Sequence, residues 1–440
     1  MIQHSNRAPG APAQGGVPVP PDLPVPDLTA VRRHFPALDR QHDGRSFVYL
    51  DGPGGTQLPR QAIARLTAYL ERSNANTHGA YATSEETGAI LDETHAAAAD
   101  FLGAAGPHEV FFGPNMTSLT FAVSRAIGRT LRPGDEVVVT HLDHDANVAP
   151  WLALQEERGI TIRWVDVRLE DCTLDLASLE RAIGPRTRLV AVGLASNAVG
   201  TINPVPAIVE LAHAAGAWTY VDAVHAAPHL PVDVTALDTD FLACSPYKFF
   251  GPHLGLVYGK AQHLERLAAY KVRPAGDEPP DKWETGTQLH ENLAGLLGTF
   301  EYLEWLGVTF GGAAAEASRR ERLRAAMLAI RSAERALTPR LLDGLAAIPG
   351  LVIRGITDPA RVDERCPTVA FTLARTSPRA VSEHLGRRGI ATWDGDYYAY
   401  ELIRTLGLAE SGGMVRVGLA HYNTAAEIDR LVDAVAELAR

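Results

Sequence analysis

The sequence predicts an α/β protein with a mostly parallel sheet of seven strands, helices on both faces of that sheet, and a smaller α+β C-terminal domain. Strand-like apolar runs alternate with helix-length segments between residues 110 and 258, an order that requires crossover connections. After Gln288 the pattern becomes helical to about residue 345, and a shorter mixed segment follows. The 440 residues, of which 46% are hydrophobic, can bury the cores of two domains.

The elements follow in chain order. Residues 1–27 are rich in Pro, Gly, Ala and Ser and predict a disordered tail. A short helix over 28–35, a strand over 47–50 and a turn over 52–55 come next. The strands of the sheet are predicted at 110–112, 136–140, 160–167, 189–194, 218–222, 241–244 and 255–258, with helices such as 118–130, 174–183 and 206–214 between them. We expect residues 28–75 to pack with the small domain (291–440), and 76–290 to form the large one.

Composition narrows the class of function. The net charge of -11 is spread along the chain, which argues against a nucleic-acid partner. Neither a long apolar run nor a basic segment followed by an apolar one is evident, so we expect a cytoplasmic protein without membrane contact. The three cysteines, Cys172, Cys244 and Cys366, lie far apart without a C-x-x-C pair and predict reduced thiols.

Lysine is scarce, with only Lys248, Lys260, Lys271 and Lys282 in the chain. The stretch C-S-P-Y-K-F-F-G-P-H, residues 244–253, sets Lys248 among aromatic residues just after a strand. Desolvation there lowers the pKa of an amine and supplies the neutral form that attacks an aldehyde. A surface lysine with its amine in water is the ordinary alternative.

The stretch T-Y-V-D-A-V-H, residues 219–225, places Asp222 at the carboxyl end of an apolar strand, where ligands gather in parallel sheets. Catalysis by pyridoxal 5'-phosphate needs an acid group against the pyridine nitrogen, and Asp222 suits that role. Taken alone, a turn aspartate is the more common interpretation. Asp222 and Lys248 at two successive strand ends favour the functional one.

These stretches resemble the class V aminotransferase family, most closely its cysteine desulfurase-like and selenocysteine lyase-like branch. The resemblance runs from about residue 45 and implies the PLP-dependent transferase fold type I, pyridoxal phosphate held as a Schiff base on Lys248, an amino-acid substrate and a homodimer. The matching stretches are Y-L-D-G (49–52), N-A-N-T (74–77), D-H-D-A-N-V-A-P-W (143–151), S-N-A-V-G-T (196–201), the Asp222 and Lys248 stretches, W-E-T-G-T (283–287) and R-V-G-L-A-H-Y-N-T (416–424).

The resemblance assigns roles around the cofactor ring and the substrate. It implies that His144 stacks on the pyridine ring and shuttles protons, and that Asn197 bonds the phenolic oxygen with His225 nearby. It places Arg416 on the substrate α-carboxylate, for which a planar guanidinium is suited. Without the resemblance, a turn Asn and a core His would be preferred, whereas the apolar, strand-like run around Arg416 favours a functional arginine over a surface one. Asn76 and His78 are further candidates for substrate binding.

The phosphate shell is implied in the same way. Residues 115–118 open a helix, whose start favours an anion, so Asn115, Met116 and Thr117 are candidates, although Thr117 could equally be a plain helix cap. Ser245 adds a hydroxyl. Tyr247 stands where many desulfurases carry a histidine, so the shell departs from the family there.

Two residues of a later loop are implied to act in a second subunit. Gly286 and Thr287 match a loop that reaches the partner's phosphate, which implies a homodimer with shared sites. A metal site of His141, Asp143, His144 and Asp145 is disfavoured, because four ligands on one short strand end would point in different directions.

The resemblance fails at one catalytic position. Cysteine desulfurases place a nucleophilic cysteine ahead of the arginine, whereas residues 392–400 here read T-W-D-G-D-Y-Y-A-Y. We therefore expect C–S lyase chemistry by β-elimination without a catalytic cysteine, with Lys248, His144 and Asp222 as the catalytic residues. A class V aminotransferase or epimerase acting on a small amino acid is the alternative, and a non-catalytic binding protein the third. The loop with Trp393, Asp394, Asp396 and Tyr397 is expected to select among the reactions.

Overall fold

The structure is a computed structural model that describes residues 25–439, so nearly all of the predicted tail lies outside the described residues. The α-helices are α1 (Leu28–Arg32), α2 (Arg60–Arg72), α3 (Ala82–Leu102), α4 (Met116–Gly128), α5 (Ala149–Arg158), α6 (Leu176–Ala182), α7 (Val205–Ala214), α8 (Val234–Leu237), α9 (Ala261–Arg266), α10 (His290–Thr309), α11 (Arg319–Ala346), α12 (Pro378–Gly386), α13 (Tyr400–Thr405) and α14 (Ala425–Ala436). The strands are β1 (Gln41–His42), β2 (Arg45–Ser46), β3 (Val48–Tyr49), β4 (Val110–Gly113), β5 (Glu136–Thr140), β6 (Thr161–Val165), β7 (Thr187–Gly193), β8 (Trp218–Asp222), β9 (Phe241–Cys244), β10 (Gly255–Gly259), β11 (Leu351–Arg354), β12 (Thr368–Leu373), β13 (Ile390–Ala391), β14 (Trp393–Gly395) and β15 (Met414–Gly418).

The predicted seven-stranded sheet is confirmed, in the order β4-β10-β9-β8-β7-β5-β6. Strands β5 to β9 pair in parallel, and β10 is the one antiparallel strand, running against both β4 and β9. The parallel strands are connected through helices, as the alternation of patterns in the sequence requires. Their carboxyl ends therefore share one edge of the sheet.

Helices cover both faces of this sheet, because each strand buries alternate side chains on opposite sides. Val138 and Leu242 belong to one core cluster, together with side chains of α3, α7 and α10. Val139 and Phe241 belong to a second cluster, with side chains of α4 and α5. Two dry layers fix the strand ends in place.

The small domain is an antiparallel sheet in the order β11-β12-β15-β14, with a core of its own that includes residues of α11, α12 and α14. The N-terminal segment joins it, since β3 pairs in parallel with β13. Helix α1 is shorter than the predicted 28–35, because Pro36 restricts the residue before it and opens a separate 3-10 turn. Within residues 25–439, no helix is long and apolar enough to cross a membrane.

Candidate active site

A cavity of about 530 Å³ opens where the carboxyl ends of the parallel strands meet the small domain. Its walls come from the segments that follow β3, β4, β5, β7, β8, β9 and β14, and from β15. The predicted site residues that line it are Asn115, Met116, Thr117, His144, Asn197, Asp222, His225, Ser245, Tyr247, Lys248 and Arg416. Residues from distant parts of the chain therefore share one cavity, as ligand sites in open α/β sheets do.

Lys248 sits on the 3-10 turn after β9, with most of its side chain buried. Its Nζ donates hydrogen bonds to the carbonyl oxygens of Pro53 and Gly54, the latter at 3.0 Å, and lies 4.8 Å from the centre of the Tyr247 ring. Burial and the nearby Arg416 guanidinium lower the pKa of Lys248 to about 7. A large fraction of this amine is therefore neutral, and nucleophilic, at neutral pH.

Asp222 ends β8 and is 7% exposed. Its Oδ1 accepts a hydrogen bond of 2.8 Å from the Val224 amide, and none of the described residues places a Lys, Arg or His nitrogen within 4 Å of its carboxylate. Burial raises the pKa of Asp222 to about 6, against the opposing effect of the Lys248 charge. A carboxylate left without a cation in a cavity wall suits a ligand that brings a positive charge.

Helix α4 begins at the cavity with Asn115 as its N-cap, whose Oδ1 accepts a hydrogen bond of 2.8 Å from the Ser118 amide. Met116 and Thr117 form its first turn, where backbone amides and the helix dipole favour an anion. Strand β10 passes so close that a Cβ on Gly255 would lie 2.3 Å from the Asn115 carbonyl carbon. Glycine at 255 is what allows the helix to start at this edge.

His144 lies over the cavity from the turn after β5. Its Nδ1 accepts a hydrogen bond of 3.0 Å from the Ala146 amide, and its ring lies against the Tyr398 ring with 5.4 Å between centroids and 25° between planes. Burial, together with the charges of Lys248 and Arg416, lowers the pKa of His144 to about 4. The imidazole is thus neutral at physiological pH, and its stacking on the cofactor ring stays a prediction.

Asn197 and His225, the predicted partners of the cofactor's phenolic oxygen, both line the cavity. The side-chain amide of Asn197, however, already donates a hydrogen bond within the protein. The Asn197 side chain donates from Nδ2 to the Tyr397 carbonyl at 2.9 Å, and its Oδ1 has no partner. His225 is buried with Nε2 unpartnered and packs edge-on against His229. The contact of Asn197 with the cofactor stays a prediction.

Arg416 stands in the middle of β15 and is 4% exposed. Its Nη1 donates to the Asn197 carbonyl at 3.0 Å, its Nε has no partner, and its guanidinium lies 4.5 Å from the centre of the Tyr397 ring. No described carboxylate lies within 4 Å of it, and burial lowers the pKa of Arg416 to about 10. This is a buried cation that lacks an anion.

The remaining predicted residues lie outside this cavity. Asn76 and His78 are exposed on the segment between α2 and α3, and the loop that holds Gly286 and Thr287 is exposed as well. In one subunit these four residues contact none of the groups above. Their roles in substrate binding and across a subunit interface stay predictions.

Sequence reasoning assigned no role in this site to two carboxylates at this edge, the buried Asp143 and the half-buried Asp51. Asp143 lines the cavity, accepts hydrogen bonds from Thr140 and from Asn147 (3.0 Å), and has its pKa raised to about 7 by burial. Asp51 precedes the turn that receives Lys248, and burial raises its pKa to about 6 although Arg416 and Lys248 act in the opposite direction. Its only signal was its place in the Y-L-D-G stretch.

None of the three cysteines lines the cavity. Cys172, Cys244 and Cys366 are all buried, and burial raises the pKa of each thiol. A thiol of this kind is a poor nucleophile, because the thiolate is the reactive form. The part of the chain that the structure describes also holds no group of three or more side chains arranged to bind a metal ion.

The residues present fit pyridoxal phosphate. A neutral lysine, a carboxylate without a cation and an open helix start are three separate requirements of that group, and all three face one cavity. The cavity wall also contains buried polar atoms without partners: Asn197 Oδ1, Asn203 Oδ1, His225 Nε2, Tyr397 Oη and Arg416 Nε. Buried polar atoms are normally satisfied, so these five indicate that a polar ligand completes the site.

Comparison with known proteins agrees with this geometry. A family model described as Aminotransferase class-V matches residues 48–431. A probable cysteine desulfurase from Streptomyces coelicolor is 34% identical over 426 residues, which cover 92% of this chain and 96% of the relative. A cysteine desulfurase from Dickeya dadantii is 32% identical, with 92% and 95% covered. Among solved structures, an apo cysteine desulfurase from Thermococcus onnurineus NA1 superposes with a TM-score of 0.82 at 25% identity (93% and 97% covered), and the cysteine desulfurase CsdA from Escherichia coli with 0.79 at 27% (94% and 99%).

Proposed function

The chain belongs to the class V aminotransferase family and is a pyridoxal-phosphate enzyme, and from that premise we propose that it cleaves the C–S bond of a cysteine-like amino acid by β-elimination, without a catalytic cysteine. One observation carries the choice of reaction. The loop beside Arg416 brings Trp393, Tyr397 and Tyr398 to the cavity wall, whereas the three cysteines are buried elsewhere with raised pKa values.

Pyridoxal phosphate supplies, when bound, an electron sink for bonds broken next to the amino group. Lys248 would hold it covalently, Asp222 would lie against its ring nitrogen, and the start of α4 with Ser245 would bind its phosphate. The free amine of Lys248, whose pKa is lowered to about 7, would be suited to take the substrate's α proton near neutral pH. It can then give a proton to the departing sulfur, which leaves with the C–S electron pair.

Arg416 would orient the substrate. Its guanidinium is held against the Tyr397 ring and by one carbonyl, so the donors that remain free can form a paired contact with the α-carboxylate. Fixing that group would set the orientation of the substrate's α carbon relative to Lys248. His144, which is neutral, covers the cavity from the side of the Tyr398 ring.

A cysteine desulfurase that acts through a persulfide is the second candidate, because the relatives above carry that name. The products separate the two. Elimination converts L-cysteine and water into pyruvate, ammonia and sulfide in equal amounts, whereas a desulfurase leaves alanine and a protein persulfide. A class V aminotransferase would give a keto acid without sulfide.

The experiment is to incubate the purified holoenzyme with L-cysteine and quantify pyruvate, alanine and sulfide. The matched variant changes Cys172, Cys244 and Cys366 together to Ser, and circular dichroism with cofactor absorbance reports whether it is folded and loaded. Equal pyruvate and sulfide, with turnover retained in a loaded variant, support elimination. Alanine as the main product, or turnover lost in a loaded variant, would show that a thiol takes part.

A homodimer with shared sites is part of the proposal. The loop with Gly286 and Thr287 is exposed in one subunit, as a segment that serves a neighbouring site would be. Light scattering of the holoenzyme should give twice the mass of one chain, and a monomer with full activity would exclude shared sites. The cytoplasmic location stays a prediction.

A further inference from the structure

The cavity wall keeps the carboxylate of Asp145 but no cation once the proposed roles of Lys248 and Arg416 are assigned. Lys248 and Arg416 are the only Lys or Arg side chains in its wall among the described residues, and His144 is neutral. The proposed function, on which this inference rests, uses Lys248 for the cofactor and Arg416 for the α-carboxylate. No cation in the wall is left to meet a further anionic group.

The mouth of the cavity is lined by aromatic rings that face solvent. Trp393 and Tyr398 are 49% and 70% exposed, although both line the cavity. Tyr397 and Tyr398 have left-handed backbone angles, φ 52° and 58°, which aromatic residues rarely adopt. Such a conformation persists only where other contacts impose it.

Three hydrogen bonds impose it here. The Asn197 side chain donates to the Tyr397 carbonyl at 2.9 Å, the Asp145 amide to the Tyr398 carbonyl at 2.7 Å, and the Tyr398 amide to Asp396 Oδ1 at 3.0 Å. The loop is thereby attached to the ends of β5 and β7. The rings are held at the mouth in a fixed arrangement.

The two residues that hold the Tyr398 backbone, Asp145 and Asp396, have carboxylates without a cation. Asp145 lines the cavity, whereas Asp396 is exposed on the loop, and none of the described Lys or Arg side chains comes within 4 Å of either. Among the described Lys, Arg and His side chains, only His141 has a nitrogen within 4 Å of the Glu401 carboxylate, at 3.7 Å. Burial and the charges of Glu401 and Asp396 raise the pKa of Asp145. Asp394 differs, because Arg379 lies 3.3 Å from it.

A buried hydroxyl provides an independent sign of a ligand. Tyr397 is 4% exposed and lines the cavity, yet its Oη has no hydrogen-bond partner. A buried polar atom left unpaired costs free energy that a bound polar group would recover. An N–H of a ligand can donate to this oxygen.

We propose that Trp393, Tyr397 and Tyr398, with Asp145 and Asp396, form a subsite for a cationic group at the far end of the substrate side chain. Aromatic faces and carboxylates attract cations, and a neutral hydroxyl accepts a hydrogen bond from an ammonium. The substrate class is therefore a cysteine with a positively charged substituent on sulfur, such as an aminoalkyl group.

The test compares three ligands of similar length and different charge: S-(2-aminoethyl)-L-cysteine, S-(2-hydroxyethyl)-L-cysteine and S-carboxymethyl-L-cysteine. Dissociation constants come from the change in cofactor absorbance when each is added to the holoenzyme. The cationic ligand should bind about tenfold more tightly than the neutral one, the sum of a cation–π contact and a partly exposed ion pair. The anionic ligand should bind most weakly, and added salt should narrow the differences.

Variants assign the effect to the subsite. Asp145→Asn and Asp396→Asn should each reduce the preference for the cationic over the neutral ligand several-fold. Glu383→Gln is the matched control, because Glu383 is an exposed carboxylate beside Arg379 on α12 and outside the cavity, and it should leave the ranking unchanged.

The two proposals fail in distinguishable ways. If no ligand releases pyruvate, β-elimination is wrong, but the ranking of dissociation constants still tests the subsite. If the neutral or the anionic ligand binds as tightly as the cationic one, or if the Asp variants keep the full preference, the cationic subsite is wrong whatever the reaction.

Discussion

Two buried aspartates stand at opposite ends of the same sheet and differ in what surrounds them. Asp222 ends β8 at the cavity and accepts a single amide hydrogen bond, and its pKa is raised to about 6 by burial. Asp240 precedes β9 at the other end, and its carboxylate contacts His213 (2.8 Å), His263 (2.7 Å) and Lys260 (3.6 Å). Although burial acts against it, these donors lower the pKa of Asp240 to about 2.

The buried arginines repeat the contrast. Arg365 donates to four backbone carbonyls, those of Val199, Ile356, Cys366 and Thr368. Arg416 donates to one carbonyl and keeps an unpaired Nε. Asp240 and Arg365 thus have their partners within the chain, whereas Asp222 and Arg416 lack them. The missing partners are those that a ligand would bring.

The largest effect is expected at the lysines. Lys260 is paired with Asp238 at 2.7 Å, whereas no described carboxylate lies within 4 Å of Lys248. Lys248→Ala should lower kcat/KM by about 10³-fold, since it removes both the covalent link and the base. Lys260→Ala is the matched control and should retain activity. Borohydride reduction and peptide mapping should find the pyridoxyl group on Lys248, and finding it on Lys260, Lys271 or Lys282 would refute the assignment.

We expect Asp240 to contribute mainly to the stability of the fold and Asp222 mainly to activity. Asp240→Asn should lower the free energy of unfolding by about 3 kcal/mol, because it removes the buried carboxylate that His213, His263 and Lys260 contact. Asp222→Asn should leave unfolding of the apoprotein unchanged or make it harder, while lowering kcat/KM by more than about 100-fold, because the ring nitrogen loses its acid partner. Urea unfolding and steady-state kinetics measure both. Equal losses of stability in the two variants would remove the distinction.

The sequence alone predicts the site residues that lie at the ends of strands. Asp222 and Lys248 could be placed because buried parallel strands are continuous apolar runs, and polar residues at or just after the end of each run lie at the ligand-binding edge. The fold class followed from the same runs. Local pattern was sufficient because each prediction depended on a single strand end.

The parts that could not be predicted depend on contacts between distant segments. Asp51 comes near Arg416 because β3 pairs with β13 and Asp51 bridges to Gly418, a register that no local pattern encodes. The hydrogen-bond partners of the Asp240 carboxylate include His213 from α7 and His263 from α9, which are distant from it in sequence. The left-handed backbone of Tyr397 and Tyr398 arises from hydrogen bonds to other loops, so the sequence of that loop could only show the missing cysteine.

A smaller effect is expected when Arg416, the buried cation without an anionic partner, is changed. Arg416→Ala should weaken binding of amino acids that carry an α-carboxylate by about 2 to 3 kcal/mol, the upper part of the range for hydrogen bonds to charged partners. Cofactor content should stay normal, and the corresponding amines without a carboxylate should lose little affinity. Spectral titration of the holoenzyme measures each. An equal loss for amines and amino acids would show that Arg416 acts on the fold of the site and not on the carboxylate.

The smallest effect concerns pH. The folded pKa of Asp240, about 2, is below the unfolded value of about 3.9, so its contribution of about 2 kcal/mol is complete above pH 4 and is lost as the pH falls from 4 to 2. The pKa of Asp222 is raised, so in the apoprotein its ionised form costs stability above pH 6, and this cost disappears as the pH falls to 4.

Unfolding of the apoprotein between pH 3 and 8 separates the two signs. The difference between wild type and Asp240→Asn should shrink below pH 4, while any gain from Asp222→Asn should grow from pH 4 to 6 and then level off. Bound cofactor should abolish the gain in stability from Asp222→Asn, because a protonated ring nitrogen would give the Asp222 carboxylate a cationic partner that the protein itself does not provide. If the two variants followed the same pH profile, the two ends of the sheet would not differ in the way their contacts indicate.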